Sequence, residues 1–215
     1  MKKIGTTLVC TALVNFAQAN PAPELEARDL DKNGITDAFY DRALNITWLR
    51  DAGAGGRVDW FTADRWVANL TFGNYSDWRL PILSMPDVTC SIQLPLAGGY
   101  PTQSYGFGCL GNEIGHLWYE VLRNSAGSTT SNTGDFQNWG NRYWFGTESI
   151  HTSGYAWYFG MSDGGVFGNY KANSMYTFAV RTGDEIPAVP EPRIYAMILV
   201  GIFALAILRG RRNKS

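Results

Sequence analysis

The feature that most limits this chain is an uncharged run near its end, Ile194 to Leu208, fenced by Arg193 on one side and by Arg209, Arg211, Arg212 and Lys214 on the other. As a helix rising ~1.5 Å per residue the run reaches about 22 Å, short of the ~30 Å hydrocarbon thickness of a bilayer. The flanking arginines extend that reach by snorkelling, and the basic cluster is expected to stay cytoplasmic. A core helix is a poor alternative, because it would not be apolar on every face and then meet a block of cations.

The other end carries a matching constraint. Lys2 and Lys3 precede an apolar stretch from Ile4 to Phe16, and Ala17-Gln18-Ala19 offers the small residues that signal peptidase accepts. Residues 1–19 are therefore expected to be a signal peptide, with a mature start near Asn20 and export as the consequence. Polar Thr6, Thr7, Thr11 and Asn15 dilute the run and disfavour an uncleaved anchor.

Between these ends lie about 170 residues, enough for one domain with a real core. Residues 20–188 hold 11 Lys plus Arg against 18 Asp plus Glu, a formal charge of −7 that the basic ends conceal. Nucleic acid and anionic glycans are thereby disfavoured as partners, since phosphate or sulfate recognition needs a basic footprint. Neutral polysaccharide stays open. Cys10 leaves with the signal peptide, so Cys90 and Cys109 remain as a pair in an oxidising compartment and are expected to form a disulfide. The competing reading, a catalytic thiol, would need His116 or His151 as its base.

Hydrophobic period divides the domain. Glu26–Asp31 and Ile35–Tyr40 flank Asn33-Gly34, a hairpin turn signal, and Asn45–Leu49 reads as a further strand. Thr62 is placed to cap a helix with Ala63, Trp66, Val67 and Leu70 on one face; Asn112 is placed to cap a second, with Ile114, Leu117, Trp118, Val121 and Leu122. A long polar loop follows from Asn124 to Asp135. Beyond it Tyr143–Thr147, Tyr155–Met161, Val166–Tyr170 and Met175–Arg181 read as strands. Two one-sided helices and a strand-rich second half predict an α+β fold: a compact single domain with two helices on an antiparallel, loop-rich sheet.

Two resemblances add to this reading. Val189-Pro190-Glu191-Pro192, the apolar run and the arginine cluster resemble the PEP-CTERM sorting signal of Gram-negative bacteria that make exopolysaccharide. The resemblance implies recognition by an exosortase, cleavage near Pro-Glu-Pro, and transient anchoring in the inner membrane. Gly73-Asn74-Tyr75-Ser76-Asp77-Trp78-Arg79-Leu80-Pro81 is similar to the hallmark of the family named for the C-terminal domain of the Legionella collagen-like protein Lcl. Leu44–Leu49, Gly115–Tyr119, Tyr143–Glu148, Ala156–Phe159 and Phe178–Arg181 agree with it in order. This second resemblance spans Asp37 to Asp184 and implies a domain at 24–186, related in fold to C-type lectins and the formylglycine enzyme, with extracellular binding rather than catalysis. The sorting signal then occupies 187–215, with its transmembrane segment at 194–208.

Candidate sites are few. Asp29, Asp31, Asn33 and Asp37 fall at positions of a calcium loop, with Gly34 at its turn. Tyr40 stands where that loop carries its bidentate glutamate, so a hairpin with exposed acids explains the stretch with fewer assumptions. His116 falls on the polar side of its helix and is expected to cap a surface or bond a loop. Trp139, Tyr143, Trp144, Tyr155, Trp157, Tyr158, Tyr170 and Tyr176 crowd the strand half. Alternate residues of a strand face inward, and those facing outward could form a floor for sugar rings. On that reading Asp135, Trp139, Asn141, Arg142 and Trp144 make the ligand site. No zinc motif, phosphate loop or nucleophile elbow occurs. The expectation is a non-enzymatic, exported binding module for exopolysaccharide. The alternative is a structural surface protein that self-assembles or binds a protein partner.

Overall fold

A computed structural model describes residues 25–128 and 131–184. The proposed leader at 1–19 and the 187–215 tail, with Val189-Pro190-Glu191-Pro192, lie outside the described residues. In chain order the elements are β1 (Leu25–Arg28), β2 (Ala38–Asp41), β3 (Ile46–Leu49), β4 (Arg57–Val58), α1 (Trp60–Ala68), β5 (Ile92–Leu94), β6 (Gln103–Tyr105) and α2 (Glu113–Gly115), which runs on as a π-helical stretch over His116–Val121. The second half supplies β7 (Arg142–Glu148), β8 (Tyr155–Gly160), β9 (Val166–Tyr170), β10 (Met175–Tyr176) and β11 (Val180–Thr182). The fold is α+β, as expected, with a sheet ordered β1-β2-β3-β11, a sheet ordered β4-β10-β7-β8-β9 and the small β5-β6 hairpin. Pairing is antiparallel except between β10 and β7.

Helix α1 is capped by Asp59, one turn earlier than Thr62. The Asp59 carboxylate accepts both the Thr62 N–H and the Thr62 hydroxyl, and those bonds hold its pKa below the ordinary aspartate value. Trp60, Ala63 and Val67 make the buried face, so the helical period was right and its start was late. Asn112 caps α2 as expected, its side-chain oxygen accepting the Gly115 N–H at 2.7 Å. A Cβ on Gly115 would stand 1.9 Å from the Cys109 carbonyl oxygen, so only glycine lets this helix pass so close to the disulfide.

The two helices serve opposite cores. One cluster gathers Ile114, Leu117, Trp118 and Leu122 of α2 and its continuation with Trp48, Tyr143, Phe145, Trp157, Phe159 and Phe178. The other gathers Trp60, Ala63 and Val67 of α1 with Trp78, Leu80, Trp144, Ala156 and Met175. Over Tyr143–Phe145 and Ala156–Phe159 neighbours alternate between the two clusters, so the middle of these strands has no solvent face.

Met175–Arg181 is not one strand. β10 joins the five-stranded sheet and β11 the four-stranded one, and the link between them carries Phe178 and Ala179 into opposite cores. Trp78-Arg79-Leu80-Pro81 works alongside. Arg79 bridges Val180 on the free side of β11 through paired backbone bonds, while Trp78 and Leu80 drop into the α1 core. The Arg79 guanidinium then grips Glu113 with two bonds of 2.8 and 2.7 Å, tying this segment to the start of α2.

Candidate functional site

The cysteine pair is bonded: Cys90 and Cys109 form a disulfide that closes the base of the β5-β6 hairpin. Asp87, itself buried, seals the same base. Its carboxylate accepts the Thr89 N–H and hydroxyl and the Gly111 N–H, while Gln93 donates to the Asp87 carbonyl and accepts from Ser104. The hairpin is thus an arm fastened at its root, with every β5 residue exposed.

The acidic loop is wider than a two-residue turn. The β1-β2 ladder ends at Arg28 and Ala38 with the Asp37 N–H on the Arg28 carbonyl, and residues 29–36 fold around carboxylates instead of pairing. Asp29 accepts from the Asn33 and Gly34 N–H groups, and Asp37 from those of Leu30 and Asp31. These local bonds outcompete the ladder. Ligand oxygens of Asp29, Asp31 and Asp37 come within 4.8 Å of one another, an oxygen set suited to a hard cation such as calcium. Asn33 departs from the expected set. Its oxygen accepts the Ile35 N–H and its amide nitrogen donates to Asp31, so it turns a donor toward the cluster.

The expected sugar site does not assemble. Trp144 is wholly buried in the α1 core and donates its indole N–H to the Val58 carbonyl at 3.1 Å, so it offers no floor to a ligand. Trp139 is half-buried and packs its ring on Phe136, Tyr143 and Phe178. Arg142 is exposed, with its guanidinium over the Tyr158 ring. Asn141 and Asp135 are exposed but engaged through backbone oxygens, from Met161 and from the Arg50 side chain. The physical reason is the second core: with both faces of β7 covered, strand alternation sends each ring into one layer or the other and none to solvent.

Rings that are exposed or only partly buried occur elsewhere. Tyr155 and Tyr170 are cross-strand partners on β8 and β9, with ring centroids 4.1 Å apart. The Tyr155 phenol has its pKa raised chiefly by its hydrogen bond with Tyr170. Tyr100, near the tip of the β5-β6 arm, meets His151 of the β7-β8 loop edge-on at 4.7 Å. Tyr155 and Tyr170 belonged to the strand-half aromatics singled out from sequence; Tyr100 and His151 did not. The one signal for Tyr100 is its setting, an aromatic between Gly98-Gly99 and Pro101 with no periodic partner.

His116 corrects its expectation too. It is largely buried, and its Nε2 faces Oδ2 of the buried Asp41 at 3.3 Å, while the other Asp41 oxygen accepts the Ala43 and Leu44 N–H groups. A shallow groove of about 650 Å³ follows the outer side of α1, lined by Thr62, Arg65, Trp66, Asn69, Leu70 and Thr71, and none of the expected ligand residues lines it. Among the described residues no helix is long and apolar enough to cross a membrane.

Compared with known proteins, the chain matches no family model, no curated protein and no solved structure.

Proposed function

We propose that this chain is an exported surface protein, handled by signal peptidase and an exosortase, whose domain is a non-enzymatic binding module for the producing cell's exopolysaccharide. The PEP-CTERM-like tail and the Lcl-like motifs supply the address and the scaffold class in this reading. The observation that carries it is the set of tyrosine and histidine rings gathered at one end of the five-stranded sheet, on a domain whose acidic charge suits an uncharged polymer better than a polyanion. A second reading, self-assembly or a protein partner, draws on Val88, Ile92 and Leu94, apolar side chains left exposed on and before the β5-β6 arm.

The test is binding of the full-length chain, in mild detergent, to exopolysaccharide from the producing strain, with calcium and with chelator. Saturable binding is the expected result. If a folded sample does not bind but grows in mass with concentration in light scattering, the second reading takes its place. Binding lost with chelator would assign calcium to Asp29, Asp31 and Asp37; binding indifferent to chelator leaves the acidic loop a structural turn.

A further inference from the structure

The bridge between Gly106 and Val166 is antiparallel, so the arm leading back from Gly106 runs in the direction that β9 takes. Its tip thereby reaches the far end of β9. Tyr100 there touches His151, and the stretch containing His151 closes on Tyr155 through the bond from the Tyr155 N–H to the Thr152 carbonyl. Rings from the arm, the β7-β8 loop, β8 and β9 so converge at one end of the molecule. Tyr100 and Tyr170 are 53% and 56% exposed, and Ile150 beside His151 is 54% exposed.

Resting on the binding-module reading above, we infer that this end is the ligand site and that its ligand is an uncharged saccharide chain laid across Tyr170, Tyr155, His151 and Tyr100. Three observations select that class. Tyr100 and Tyr170 leave more than half of their aromatic surface open to solvent, apolar surface suited to the C–H face of a pyranose. The local charges cancel: the Lys171 ammonium is paired with Glu148 and stands over the Trp60 ring at 4.3 Å, so it is spent within the protein. The strand edge is blunted against a peptide. Val166 is taken by Gly106, the Tyr170 N–H is capped by the Asn169 side chain, and the Tyr170 carbonyl accepts from Asn173. Strand alternation then leaves Gly168 as the place where a further strand could bond, too little for β-augmentation.

The experiment uses the full-length chain in mild detergent against dextran, galactomannan and a mixed-linkage β-glucan, with polygalacturonate as the anionic probe and the producing strain's own polymer as reference. Binding to the strain's polymer and to at least one neutral probe, unchanged between low and high salt, is expected. Tyr170→Ala and Tyr100→Ala should each weaken it about tenfold, the effect of losing one good ring contact. Tyr170→Phe keeps the ring and should bind within about twofold of the natural chain. Circular dichroism and melting show that each variant is folded. If the chain binds but the Tyr170→Ala and Tyr100→Ala variants bind equally well, this site is wrong while the module reading stands. Binding confined to polygalacturonate and weakened by salt overturns the ligand class. No binding to any polymer, the strain's own included, sinks the module reading itself.

Discussion

Strand β7 and the far end of β8 and β9 are made of the same kinds of residue and meet opposite fates. Tyr143, Trp144 and Phe145 are each fully buried, because the α1 core lies on one side of β7 and the α2 core on the other. Tyr155 and Tyr170 sit on the neighbouring strands at the point where the sheet outruns its cover, and Tyr170 stays more than half exposed. An aromatic in a strand is thus no sign of function by itself. The number of layers packed over that position decides whether it is buried in the fold or left open to solvent.

Breaking that contrast on the buried side should have the largest effect. Trp144→Ala removes a filled indole and its hydrogen bond to Val58, and should cost about 3–5 kcal/mol, read as a large drop in the denaturation midpoint. A small shift would mean that β7 has an open face after all. Cys90→Ser with Cys109→Ser frees the loop that roots the exposed arm and should cost about 3 kcal/mol on the chain-entropy estimate, measured in the same way.

Smaller effects sharpen the comparison. Asp59→Ala removes the cap that starts α1, the helix covering one face of β7, and should cost about 1 kcal/mol. Acid should loosen β1, the edge of the other sheet. Glu26 is held below the ordinary glutamate value by its hydrogen bonds with Arg28 and then Arg42, so its contribution is fully present above that ordinary value and is lost as pH falls through the lowered folded one. Hydrogen exchange of β1 amides at falling pH should show it, and Glu26→Gln should abolish the pH dependence at the cost of a uniformly weaker edge. Smallest of all, Tyr170→Ala should change stability by no more than about 0.5 kcal/mol, as expected of an exposed side chain. A loss as large as that of Trp144→Ala would show that Tyr170 belongs to the core and would remove the contrast.

Much of the fold was legible because local pattern and tertiary packing agree. The apolar faces of α1 and α2, the Asn112 cap, the Cys90–Cys109 bond and strands β3, β7, β8 and β9 follow from period, spacing and turn chemistry. Departures arise where a polar partner outside the hydrophobic period, near or far in the chain, overrides the local signal. Asp59, outside the apolar period, captured the cap from Thr62. The carboxylates of residues 29–37 replaced a tight hairpin turn. His116, at the start of the π-helical stretch, faces inward onto Asp41, a pairing between residues far apart in the chain.

The candidate site was less legible than the fold. Of Asp135, Trp139, Asn141, Arg142 and Trp144, the polar members are exposed, but Trp144 lies in a core and Trp139 on the margin of one. The crowding of aromatics along the strand half does not say which of them lack cover.

What the sequence by itself determined is therefore the α+β class, the helical faces, the disulfide and the acidic character of the domain, since each follows from neighbours a few residues apart or from a sum over all residues. Only the tertiary structure decided that the aromatic sheet is covered on both sides along β7 and uncovered at the end of β8 and β9. Solvent exposure is a property of what packs on top of a residue, and what approaches that end is an arm and a loop that leave Tyr100 and Tyr170 more than half exposed.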